Sequence, residues 1–336
     1  MSRTAFTTID FDKPGKQIGF VMIPHSPHDD AWGVTRIPIA VIANGKGPTV
    51  ILEGGNHGDE YEGPITICEL IRSLDPGQIE GRLIMMPANN VHAVMSGTRT
   101  SPVDGLNFNR TFPGDAKGTI TQQISEFVAN EVFPRGDAFL DLHSGGSSLD
   151  ILPSTVLEPT DDPELHKCNV AAVRAFDAPL IVVVSNYGDT RTATAAACKA
   201  GLTTIGTEMG GGGTVRTEVL EICRRGVRNV LAHLGVLAGK AVAAPCGKAP
   251  LFHLPGAKAF VYATGDGVFE PFHPNGQSVK AGEPAGRIHY TWDPAREPEV
   301  LHYQADGIVY GRRQPGRVKP GNCCLVVAAP YEGDIG

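Results

Sequence analysis

The 336-residue sequence contains no long apolar run. Its longest, Ile37–Ala43 and Leu180–Val184, stop far short of the ~20 residues that a membrane span requires. Residues 1–20 alternate polar and apolar side chains and hold no apolar block of signal-peptide length, so neither a membrane anchor nor a leader is expected. A basic block is missing too. Against 29 Lys+Arg stand 36 Asp+Glu, a net charge of −7, which makes a phosphate backbone a poor partner. Nucleic acid and membrane are therefore not expected partners. Seven cysteines, an odd number in a long chain, do not make a disulfide framework, and a reducing, cytoplasmic compartment is the simplest expectation. The 41 Gly and 26 Pro fall below the level of a low-complexity chain.

At roughly 150 residues per domain the length favours two domains, with ample chain for a large core. Up to about residue 240, short β-rich runs alternate with helical patterns. Ile37–Ala43 and Thr49–Glu53 flank Asn44-Gly45-Lys46-Gly47, a turn that predicts a hairpin. Arg82–Pro87, Ala138–Leu142, Leu180–Ser185 and Thr203–Glu208 read as further strands, most of them too continuously apolar for a sheet edge. Helices are expected from Pro64 to Leu74, around Ile124, Phe127, Val128 and Val132, over Asp162–Phe176, and over Thr217–Leu237 despite Gly226. Alternation of this kind predicts an α/β fold, a mainly parallel sheet flanked by helices.

The pattern changes in the proline- and glycine-rich stretch Ala243–Pro255, which divides residues 1–242 from 243–336. Beyond it lie short strands and turns with an internal echo: Gly276-Gln-Ser-Val279-Lys-Ala-Gly282 is answered by Gly316-Arg-Val318-Lys-Pro-Gly321. Two such units predict a small all-β barrel-sandwich. It resembles the biotinyl/lipoyl carrier fold, but the tip in the carrier position, Pro294–Pro298, has no lysine, so a pocket wall is the expected role.

The residues able to do chemistry sit at strand ends. Gly54-Gly55-Asn56-His57-Gly58-Asp59-Glu60 follows Thr49–Glu53 directly, where open α/β sheets place their ligands. His57 and Glu60 alone form a pair common on protein surfaces. His143, in Asp141-Leu142-His143-Ser144-Gly145-Gly146, ends a second apolar strand and completes a two-histidine, one-carboxylate set of the catalytic zinc type. Glu208 closes a third strand, where a carboxylate near a metal is placed to move a proton. Arg99 and the Asn107–Gly114 loop, with Asn109 beside Arg110, supply donors suited to an oxyanion and a carboxylate.

In order along the chain, Asn-His57-x-x-Glu60, Asn109-Arg110-x-Phe-Pro-Gly, Asp-Leu-His143-Ser and Thr-Glu208-Met-Gly resemble the succinylglutamate desuccinylase/aspartoacylase family of the zinc carboxypeptidase superfamily. The resemblance covers about residues 37–240, and the C-terminal β region also fits that layout. It implies a zinc-carboxypeptidase-like catalytic domain, one Zn2+ per subunit on His57, Glu60 and His143, and Glu208 as general base and acid. It further implies Arg99 at the oxyanion, Asn109 and Arg110 on the substrate carboxylate, and Tyr187 and Arg191 as a substrate-binding pair. Within the family the likeness is greatest to the Nα-acetyl-L-2,4-diaminobutyrate deacetylases of ectoine breakdown, which implies a small N-acyl amino acid as substrate.

Other readings stay open from sequence. An acidic N-acyl amino acid suits a pocket-facing Arg191, whereas a cationic side chain asks for an acid such as Asp189 or Glu270. A metallocarboxypeptidase and a non-catalytic metal-binding protein are the further alternatives, and a homo-oligomer is left open. His25 and His28 read as a polar loop, and Cys323-Cys324 as thiols on opposite faces of a strand. Gly210–Gly213 lacks a phosphate-loop ending and is expected to let backbone approach the substrate.

Overall fold

The computed structural model describes residues 5–184, 188–237, 249–333 and 335. The expected boundary at 242/243 lies outside the described residues. The chain opens with β1 (Phe6–Thr7), β2 (Gly15–Pro24) and β3 (Val34–Asn44), three strands paired antiparallel in that order. Then come β4 (Thr49–Gly54), α1 (Glu62–Ser73), β5 (Gly81–Met86), α2 (Val91–Ser96), α3 (Ile120–Phe127) and β6 (Ala138–His143). They are followed by β7 (Leu149–Ile151), β8 (Ser154–Leu157), α4 (Pro163–Phe176), β9 (Leu180–Val183), α5 (Ala193–Lys199), β10 (Thr203–Glu208) and α6 (Thr217–His233). The sheet they form is mixed. β5, β4, β6 and β10 run parallel at its centre, while β8 is antiparallel to β10 and parallel to β9.

The expected hairpin between Ile37–Ala43 and Thr49–Glu53 does not form. β5 lies between β3 and β4, antiparallel to the first and parallel to the second. Leu83, Ile84, Met85 and Met86 are all buried, so this strand gains more inside the sheet than at its edge. The Asn44–Gly47 turn instead straddles the end of β5. Asn44 Nδ2 donates to the Ile79 carbonyl, and a Cβ on Gly47 would stand 2.2 Å from the Glu80 carbonyl oxygen.

Helices cover both faces. Ile67 and Leu70 of α1, Val173 and Phe176 of α4, and Val227 and Val230 of α6 pack on Leu52 and Leu140. Phe108, Phe112, Ile124, Phe127, Phe133 and Ala197 pack on the opposite side against Ile51 and Phe139. α1 begins two residues ahead of Pro64, still within the first turn, where a missing N–H forfeits no helical bond. The Asp162 carboxylate caps α4 by accepting from the N–H groups of Glu164 and Leu165. α6 runs unbroken through Gly226 because α4 needs the space: a Cβ there would meet the Phe176 ring at 2.1 Å.

The C-terminal strands are β11 (Leu251–His253), β12 (Phe260–Tyr262), β13 (Gly267–Pro271), β14 (Ser278–Val279) and β15 (Pro284–His289). β16 (Glu299–His302), β17 (Gly307–Arg313), β18 (Arg317–Val318) and β19 (Cys323–Pro330) complete the set. β16, β15, β13 and β18 make a separate antiparallel sheet. The two echoing segments fall on β14 and β18, which each bury one valine, Val279 and Val318, in the same small core. Cys324 enters that core while Cys323 packs on the other face of β19. β11 pairs with β9 on one side and β19 on the other, and β7 pairs with β17, so the C-terminal strands lie against the mouth of the larger sheet.

Candidate metal centre and active site

The loops that leave β4, β6 and β10 meet at the carboxyl ends of three adjacent parallel strands. Residues 139, 141 and 143 alternate onto one face of β6, as Gly206 and Glu208 do on β10, so Asp141, His143 and Glu208 share a side of the sheet. The loop after β4 turns tightly against α2. A Cβ on Gly58 would stand 2.0 Å from the Ala93 carbonyl, so only glycine lets His57 and Glu60 come this close to the strand ends. Asp59 ties that loop to the one after β6, accepting from the Ser147 N–H and hydroxyl at 2.7 Å each.

His57, Glu60 and His143 converge. Glu60 Oε1 lies 2.7 Å from His57 Nδ1 and Glu60 Oε2 lies 2.8 Å from His143 Nδ1, and one ligand atom from each residue falls within 4.8 Å of the others. The outer nitrogens are engaged elsewhere. His57 Nε2 donates to Asn107 Oδ1 at 3.1 Å, and His143 Nε2 stands 2.9 Å from Asp141 Oδ1. Thr194 Oγ1 in turn donates to Asp141 Oδ2 at 3.0 Å. Oxygens on the Nε2 side leave both Nδ1 lone pairs facing the Glu60 carboxylate, an arrangement of three acceptors that demands a proton or a cation between them. The electrostatics express that demand. Burial opposes charge on both groups, yet Asp141 and Glu60 raise the His143 pKa well above its ordinary value, and His57 and His143 lower that of Glu60. All three ligand candidates thus fit a divalent ion of the zinc type.

Glu208 is aligned with His143 across the β6–β10 pair. Burial, then the nearby Glu60 charge, push its carboxyl up to about 8, and its Oε2 is shut off from solvent without a hydrogen-bond partner among the described residues. Arg99 Nη1 reaches to 3.4 Å from His57 Nδ1 and 3.6 Å from Glu60 Oε1, its side chain half exposed at the mouth. Asn109 Oδ1 accepts from the Ala193 N–H at 2.8 Å, which leaves Nδ2 on the side of His143 Nε2, 3.5 Å away. All of them line a cavity of about 450 Å³, together with Arg110. Its far wall is apolar, made by Leu149, Ile151, Val156 and Val184 and, from the C-terminal strands, Leu254, Phe260 and Val326. Tyr310 of β17 also faces it, its hydroxyl 2.6 Å from Ser154 Oγ.

Several expected placements change. Arg191 is not among the cavity-lining residues: its guanidinium holds Asp189 at 2.9 Å through both Nε and Nη2, and Asp189 also reaches Arg110 Nε at 3.2 Å. Asp189 is thereby occupied. Glu270 is occupied too, by Arg287 and His289 on the separate sheet, each at 2.6 Å. Tyr187 lies outside the described residues. The Gly210–Gly213 run serves the neighbouring loop rather than the cavity, because a Cβ on Gly211 would meet the Leu149 carbonyl at 2.2 Å and the Gly210 carbonyl accepts from Gly145 and Ile151. His25 sits in the β2–β3 loop with Thr35 and His92, away from the centre. Asn107, Asp141 and Thr194 were not singled out from sequence; for Asp141 the signal was available, two residues before His143 on one strand.

Residues 46–234 match the succinylglutamate desuccinylase/aspartoacylase catalytic domain, and the chain belongs to that family. It is similar to the N-alpha-acetyl-L-2,4-diaminobutyric acid deacetylase of Halomonas elongata, with 35% identity over 325 residues, 97% of this chain and 95% of that protein. Among solved structures it resembles the product-bound ectoine utilization protein EutE (DoeB) of Ruegeria pomeroyi, at TM-score 0.94 and 36% identity over 98% of this chain and 100% of the other. The succinylglutamate desuccinylase/aspartoacylase of Rhodobacter sphaeroides follows at TM-score 0.92 and 42% identity, with the same coverage.

Proposed function

We propose that the protein is a zinc-dependent deacylase that hydrolyses Nα-acetyl-L-2,4-diaminobutyrate to acetate and diaminobutyrate. The convergence of His57, Glu60 and His143 beside Glu208 carries the reading, in a chain similar along nearly its whole length to a deacetylase of that substrate. His57, Glu60 and His143 would hold one zinc ion per subunit, which when bound would supply a Lewis acid for the amide carbonyl and lower the pKa of water toward about 7. Glu208 takes the proton of the attacking water on its free Oε2 and returns it to the leaving α-amine. Arg99 faces the oxyanion of the tetrahedral intermediate. Asn109 and Arg110 hold the substrate carboxylate and so orient the amide. Arg191 acts through Asp189, holding the Arg110 guanidinium in place, and Tyr187 belongs with the substrate-binding group.

Residues 1–242 form the catalytic domain in this reading, and residues 243–336 a barrel-sandwich that walls the cavity with Leu254, Phe260, Tyr310 and Val326. That wall favours a small acylated amino acid over a peptide C-terminus. The described cysteines are free thiols, in keeping with a reducing cytoplasm. The alternative within the family is an acidic N-acyl amino acid. Acetate release from Nα-acetyl-L-2,4-diaminobutyrate and N-acetyl-L-aspartate, assayed side by side, separates the two. Turnover of the first well above the second is expected, and preference for the aspartate overturns the substrate assignment.

A further inference from the structure

The proposed substrate carries a side-chain ammonium, and the acids around the cavity are nearly all committed. Glu60 faces the two histidines, Glu208 moves the proton, and Asp141 is held by His143 and Thr194. Asp189 and Glu270 are tied to arginines. Two carboxylates near Asp141 keep a buried oxygen without a partner among the described residues: Glu53, whose other oxygen accepts from Asn56 Nδ2, and Glu158, which follows the cavity-lining Val156 of β8. Ser154, Val156 and Glu158 alternate onto one face of β8 and its extension, the face whose Val156 lines the cavity and whose Ser154 meets Tyr310. Glu158 Oε2 is shut off from solvent and has no hydrogen-bond partner among the described residues. Its charged neighbour is another acid, Asp141, and burial followed by that like charge pushes its pKa up to about 7. A largely buried carboxylate beside a second one, with no cation of its own among the described residues, is a costly arrangement that a positively charged ligand relieves.

Resting on the diaminobutyrate reading above, we propose that Glu158 is the residue that selects a cationic side chain, receiving the substrate's γ-ammonium at the end of the cavity marked by Val156 and Val184. The amide then lies at the histidine–glutamate centre, the carboxylate at Asn109 and Arg110, and the ammonium at Glu158. The apolar wall between these points packs the methylenes. A norvaline side chain has the same length and shape without the charge, so it forfeits the ion pair but keeps the packing.

The test compares wild type, Glu158→Gln and Glu158→Asp, all zinc-loaded, on Nα-acetyl-L-2,4-diaminobutyrate and Nα-acetyl-L-norvaline. In wild type kcat/KM favours the cationic substrate, and in Glu158→Gln that ratio falls about tenfold or more, the scale of a lost charge-assisted hydrogen bond. Glu158→Asp restores part of it. Calorimetric binding of L-2,4-diaminobutyrate and L-norvaline reads the same residue without turnover, and Glu158→Gln weakens the first selectively. The variant melts no lower than wild type, because it removes a secluded charge, so a folding loss does not mimic the effect. An unchanged substrate ratio with unchanged diaminobutyrate binding overturns the assignment of Glu158. If wild type hydrolyses neither substrate, the deacetylase reading fails, and calorimetry still decides Glu158: selective weakening upholds it, and equal or absent binding overturns it.

Discussion

Glu208 stands opposite His143 in the parallel pairing of β6 with β10, each at the last residue of its strand. Sheet register alone therefore places a proton carrier beside a metal-ligand candidate, with no loop to be ordered first. Glu208→Gln keeps the size of the side chain and removes its basicity. The variant should lose about 10²–10⁴-fold in kcat, the usual contribution of a positioned general base, while zinc content per chain stays at the wild-type value. Near wild-type turnover contradicts the assignment.

Asp141 and Asn107 act behind the two histidines, fixing which nitrogen faces inward. Asp141→Asn should weaken zinc affinity about 10–100-fold, as loss of an oxygen partner behind a ligating histidine does in other sites. Competition against a coloured chelator measures it. Activity at saturating zinc should recover most of the loss, whereas His143→Ala should not recover at any zinc concentration.

Gly226 gives α6 its closest approach to α4. Gly226→Ala forces the Phe176 ring to move and should cost about 1–3 kcal/mol, the range for overpacking a well-filled core. Thermal melting should fall while kcat of the folded fraction stays the same. A melting temperature equal to wild type would show that α4 and α6 have room the packing does not provide.

Glu62 and Glu158 are both pushed up to about 7, chiefly by burial. A carboxyl whose pKa is raised in the folded chain binds more protons there than when unfolded. Its contribution is fully present below about 4.5 and is lost as pH rises through about 7. Chelator-treated protein should therefore melt at progressively lower temperature between pH 5 and pH 8. Glu158→Gln should flatten that slope. A slope of opposite sign, or one the variant leaves untouched, contradicts the burial of this carboxyl.

The candidate centre was readable because each of its strands announces itself: an apolar run ends abruptly in a polar, glycine-rich loop carrying His57, His143 or Glu208. Such strands must be central, and central parallel strands deliver their loops to one edge. The insertion of β5 between β3 and β4 was not readable, since the Asn44–Gly47 turn is locally compatible with a hairpin and only the competition for buried sheet positions decides against it. For Arg191 the spacing that matches a binding pair does not show that Asp189, two residues away, holds its guanidinium. Glu158 carries no motif at all; only its place after Val156 of β8 and its like-charged neighbour Asp141 single it out.

The most direct test of the account is acetate release from Nα-acetyl-L-2,4-diaminobutyrate by zinc-loaded, chelator-stripped and zinc-restored protein. Turnover that vanishes on stripping and returns with one zinc per chain is the predicted result. Turnover that survives complete removal of metal would contradict the role given to His57, Glu60 and His143.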